Sequence, residues 1–156
     1  MHLEKIRLYH QEVSSMANRF EIITKYIPKL TEAQYGDWII DKEKKGTKES
    51  PIQMPFVNYS DVVSEFLQDV YTCMDENEDM QLNRYGEILE KNGLLWETES
   101  MKDAEVSSLD AQCIMALIIG AVRAERFCDG ALLEFFQNGS ITKWLKRLKE
   151  LDSQMG

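Results

Sequence analysis

The sequence predicts a mainly α-helical protein, a compact helical domain with an N-terminal heptad-pattern helix and room for one small β-hairpin. Ile6, Tyr9, Val13, Met16, Phe20, Ile23 and Ile27 step alternately by three and four residues, which lines one face of a helix. The same period returns between 107 and 151, the most apolar part of the chain. Only 31–58 breaks into the short apolar runs that strands make. The chain therefore divides into an amphipathic helix (1–30), a linker or small hairpin (31–58) and a helical core (59–156), expected to form one folded unit.

A repeat of three and four suits a helix wrapped around another helix. That partner is either another element of this chain or a second copy. In the latter case Ile6, Tyr9, Val13, Met16, Phe20 and Ile23 form the homodimer seam. Pro28 is expected to stop or kink the helix and to push Ile27 toward an extended conformation. Between 31 and 58, the apolar runs 37–41 and 52–57 flank a lysine-rich loop with Gly46 and Pro51, as in a hairpin or an extended tie-down. Pro55 restricts the second run to an edge, and Trp38 and Phe56 are expected to pack on the helical core.

The next helix is capped by Ser60 or Asn58 and carries Val62 or Val63, Phe66, Leu67, Val70, Tyr71 and Met74 on one face. A second, from about Leu82, carries Tyr85, Ile88 and Leu89 and stops at Gly93. Between them, Asp75, Asn77 and Asp79 imitate the first ligands of a calcium loop. Met80 stands where such a loop needs glycine, and Gly86 where it needs its closing glutamate. The acidic run therefore reads as a solvated connection. Residues 94–105 link this pair to the central helix, which runs from about Leu109 to Phe127. Ile114, Leu117, Ile118, Ala121 and Val122 form its stripe, Ser107 or Ser108 its cap, and Asp110 sits in its first turn. Gly120, in mid-helix, is expected at a helix crossing, because it otherwise costs stability there. Beyond Gly130, one short helix buries Leu132, Leu133, Phe135 and Phe136. A last helix, opened by Ser140, buries Ile141, Trp144, Leu145, Leu148 and Leu151.

One charged residue runs against this pattern. Glu125 falls near the middle of the central stripe while Arg123 points away. A carboxylate aimed at a core needs a proton, a cation or hydroxyl donors. Tyr59, Arg84 and Tyr85 are the candidate partners from other segments. Together with Arg123, Arg126 and Asp129, Glu125 makes a candidate polar site. Continued helix would set Asp129 one turn below Glu125, as a metal or acid–base pair. The structural alternative has Glu125 in a buried ion pair and Asp129 capping the next helix.

The run Arg123-Ala124-Glu125-Arg126-Phe127-Cys128-Asp129-Gly130, followed by Ala131-Leu132-Leu133, Asn138-Gly139-Ser140-Ile141 and Leu145-Lys146-Arg147-Leu148, resembles an uncharacterised bacterial and archaeal family. That family is catalogued as a domain of unknown function and marked by a Glu-Arg-Phe motif. The likeness is good over about 106–151, weaker over 26–38 and around Tyr85, and absent from the first twenty residues. The family's usual form has glycine before the glutamate, where this chain has Ala124. The resemblance implies a fold and a motif but no activity.

Composition narrows the function classes. No apolar run is long enough to span a membrane, and the start is amphipathic rather than signal-like, so the expected location is the cytoplasm. Cys73, Cys113 and Cys128 are odd in number and far apart, unlike a disulfide framework or a zinc site. The only histidines are His2 and His10, which disfavours a nucleophile–histidine pair. No cofactor or metal is expected. The net charge of −9 is concentrated: 51–110 holds three basic and fourteen acidic residues, net −11, and each flank is +1. Such a face repels phosphate backbones, so nucleic acid is not an expected partner. The residues point to a protein-interaction or regulatory module. Two other readings remain: an enzyme or small-ligand protein built on Glu125 and Asp129, and an acidic mimic of nucleic acid.

Overall fold

The computed structural model describes residues 19–40 and 54–155. Its elements are α1 (Glu21–Thr24), α2 (Ile27–Glu32), β1 (Gly36–Ile39), β2 (Phe56–Tyr59), α3 (Asp61–Glu76), α4 (Tyr85–Lys91), α5 (Thr98–Lys102), α6 (Ala111–Ala124), α7 (Ala131–Gln137) and α8 (Ser140–Met155). The protein is mainly helical, with one two-stranded antiparallel sheet.

α6 is the axis of the core. Every residue from Cys113 to Val122 is buried, so the apolar surface is a full circumference rather than the expected stripe. A helix that is hydrophobic all round requires neighbours on all sides. α4, α7 and α8 supply three of them, and Trp96 and Met101 close the side at Gly120. A Cβ at Gly120 would lie 3.1 Å from Met101 Cε and 3.4 Å from Trp96 Cδ1. In place of the expected helix crossing, the close approach at Gly120 is made by these two side chains, Met101 from the short helix α5 and Trp96 from the loop before it. The cap of α6 is Asp110, whose Oδ1 accepts from Cys113 N–H at 2.9 Å. Ser107 and Ser108, the expected caps, lie in a 3₁₀ turn just before it.

The N-terminal heptad positions Ile6, Tyr9, Val13 and Met16 lie outside the described residues. Phe20 and Ile23 are fully buried, on a helical turn packed against α3 and α8. Pro28 does not end helical structure here. It sits in the first turn of α2 with Ile27 as the first helical residue, where a missing N–H leaves nothing unpaired. α8 buries Ile141, Trp144, Leu145 and Leu148, but next to half-buried Leu151 it also buries Asp152. That carboxylate accepts from Phe20 N–H at 3.1 Å, holding the start of α1 to the end of the chain. Burial raises its pKa above the ordinary carboxylate range.

β1 and β2 pair with Trp38 opposite Val57 and Gly36 opposite Tyr59. Side chains alternate across a strand, so Trp38, Val57 and Tyr59 share one face and Ile39 and Phe56 the other. Trp38 and Phe56 are therefore not core residues as expected: both are exposed, and Val57 is the buried member. In the acidic loop, Asn77 turns inward and donates to the Cys73 carbonyl at 2.6 Å, while Arg19 pairs with Asp79. Helical closure and an ion pair thus occupy Asn77 and Asp79, two of the three residues that imitate a calcium loop.

Phe20→Ala should cost about 3–5 kcal/mol of stability, the range for truncating a buried phenylalanine. Urea denaturation at two protein concentrations checks this. An unchanged midpoint would remove Phe20 from the chain's own core.

Candidate functional site

α6 ends at Ala124 and α7 begins at Ala131, so the charged motif forms the turn between two helices. The last α6 carbonyls are taken within the turn: Cys128 N–H and Phe127 N–H both donate to Ala124 O, at 3.0 and 3.1 Å. Gly130 closes the turn with φ of 89°, a left-handed conformation that side chains other than glycine rarely adopt. A Cβ there would also run into the Trp38 indole.

Glu125 reaches across this turn to the exposed amides at the start of α7. Gly130 N–H donates to both carboxylate oxygens, at 3.1 and 3.0 Å, and Leu132 N–H donates to Oε1 at 3.0 Å. Tyr59, on β2, donates its hydroxyl to the same oxygen at 2.6 Å and accepts from Leu133 N–H at 3.1 Å. With Ala131 N–H on Cys128 O, the first turn of α7 has no unpaired amide. This is an N-cap delivered from the preceding helix, with the negative charge at the positive end of α7. Burial, then the hydrogen bond to Glu125 and its charge, push the Tyr59 phenol far above its ordinary pKa. It stays a donor.

Tyr59 alone of the three candidate partners meets Glu125. Tyr85 sits edge-on to Trp96 at 5.3 Å between ring centroids, and Arg84 is exposed at the end of a 3₁₀ turn. Arg123 lies over the Tyr71 ring at 5.5 Å, a cation–π contact. Arg126 and Asp129 face solvent. Asp129 neither stacks below Glu125 nor caps α7, because the helix has already ended and Glu125 fills the capping position. Among the described residues, no group of three or more His, Cys, Asp or Glu is placed to hold a metal ion.

Beside the turn lies an open pocket of about 450 Å³, lined by Trp38, Trp96, Met101, Phe127 and Phe135 with Glu97, Cys128, Asp129 and Glu134. Phe127 is 77% exposed, Trp38 47% and Trp96 40%. Trp96 and Phe127 meet at right angles, 5.6 Å between centroids, and Trp96 Nε1–H donates to Gly120 O at 2.9 Å. Cys128 is exposed at this pocket, whereas Cys73 and Cys113 are buried, with burial pushing their thiols up to about 12 and about 11. Sequence reasoning placed Trp38 in the core and Trp96 in a connection, so it missed the pocket. One usable signal was Phe127. At about 100° per residue it falls on the far side of the expected 109–127 helix from the expected apolar stripe.

The model of a family of unknown function (DUF6508) matches residues 15–154. The chain belongs to this family. No curated protein and no solved structure matches it. The DUF6508 match takes in every described residue that builds the turn and the pocket.

Tyr59→Phe should cost about 1–3 kcal/mol, because it leaves Glu125 and Leu133 N–H short of a partner. Glu125→Gln, which keeps an acceptor but loses the charge, should cost about 0.5–2 kcal/mol. Thermal or urea denaturation reads both, and wild-type stability in either variant would disconnect it from the cap. A tyrosine whose folded pKa is raised stabilises fully below the unfolded value of about 10, and that contribution is lost as pH rises above it. Tyr26, pushed up to about 12 by burial and by Asp69, adds to this alkaline loss. The stability decline between pH 9 and 11 should therefore be shallower in Tyr59→Phe than in the wild type, as read from urea midpoints.

Proposed function

We propose that this DUF6508 protein is an interaction module that receives an apolar side chain of a protein partner in the pocket beside the α6–α7 turn. The observation that carries this reading is the exposure of Trp38, Trp96 and Phe127 around one concavity. Large aromatics left in water at a rigid pocket are characteristic of binding anchors. A catalytic or metal role for Glu125 and Asp129 has less support. Both Glu125 oxygens already accept hydrogen bonds, and Asp129 stands apart in solvent. Self-association through the heptad face draws little from Phe20 and Ile23, which the chain's own core uses.

The neutral dye Nile red should bind the wild type with a fluorescence increase. Phe127→Ala, at an exposed position, should weaken that binding about tenfold while leaving stability within about 0.5 kcal/mol of wild type. Equal dye binding by both proteins would count against the pocket as a docking site.

A further inference from the structure

The pocket's lining is unevenly charged. Among the described residues, Glu97, Asp129 and Glu134 stand in it and no basic residue does. Two cations adjoin the lining in sequence: Lys102, beside Met101, is paired with Glu99 at 3.1 Å, and Arg126, beside Phe127, faces solvent. The same lining holds Trp38, Trp96 and Phe127. Aromatic rings carry negative electrostatic potential on their faces and attract cations, tryptophan most strongly. A purely apolar guest would use the aromatic rings and leave the carboxylates unused. A guest with an apolar stem and a cationic head would use both.

From this arrangement we infer that the occupant is a lysine side chain presented by a basic segment of a protein partner. Its methylene stem lies along Trp96 and Phe127, and its ammonium sits among Glu97, Asp129 and Glu134. The inference rests on the docking reading above and adds the charge of the ligand. An exposed carboxylate contributes modestly and is screened by salt. The preference for a cation should therefore be several-fold and should fade at high ionic strength. The surrounding chain favours the same sign, since 51–110 carries a net −11.

The test compares two small probes of the same shape, n-pentylammonium and 1-pentanol, against the full chain. Cys128 supplies the readout, because it is the exposed thiol at the pocket and the other two cysteines are buried. Its rate of reaction with a disulfide reagent should fall as the pocket fills, with tryptophan fluorescence as a second signal. A neutral reagent avoids charge competition at the carboxylates. In low salt, pentylammonium should half-protect Cys128 at a concentration about fivefold lower than pentanol. The difference should shrink to less than about twofold in 0.5 M salt, where the Debye length is only about 4 Å, and in the Asp129→Asn/Glu134→Gln double variant. Both substituted residues are exposed, so the variant should fold. Equal or better protection by pentanol would overturn the cationic inference and leave the docking reading standing. Protection by neither probe would overturn both.

Discussion

The structure depends on one carboxylate placed across a helix start. Two helices joined by a short turn have no fixed angle until the exposed amides of the second find acceptors. Glu125 provides them from the end of α6, so the helix that forms the core axis also sets the direction of α7. Tyr59 then joins the same acceptor from 66 residues away and takes Leu133 N–H. That places the small sheet over the turn, brings Trp38 onto Gly130, and so forms one wall of the pocket. A half-buried acid that is costly when alone is thus satisfied by the groups it organises.

Three consecutive motif residues divide this work. Glu125 turns inward to the amides, Arg126 faces water, and Phe127 stands exposed over Trp96. The consecutive side chains diverge because the helix ends at Ala124, and beyond that point the helical period no longer governs direction. Arg123, still within α6, obeys the period and lies on Tyr71 of α3.

The helices were legible in the sequence because their signals are local. The period of the buried positions in α3 and α8, the apolar run of α6, the stop at Gly93 and the break at Gly130 all depend on residues within a few turns. The need of Glu125 for a hydroxyl donor from another segment was legible too, with Tyr59 among the candidates, since desolvation requires such a partner wherever the chain goes. Tertiary placement was less accessible. A strand's alternation says which side chains share a face but not which face meets the core, so Trp38 and Phe56 were assigned inward. Asp110 rather than Ser107 or Ser108 caps α6, because the serines are drawn into a preceding 3₁₀ turn. The pocket combines residues 38, 96 and 127, and no short-range pattern links those positions.

The indole of Trp96 is tied by its N–H to the carbonyl of Gly120, in the middle of the most deeply buried helix. Its ring is therefore tied to the buried core although 40% of its surface meets solvent. Ordering a flexible aromatic side chain on association costs on the order of 0.5–1.5 kcal/mol. In Trp96 that entropy has already been lost on folding, so a guest meets a preorganised wall, and selectivity at this surface is set by fit more than by adaptation.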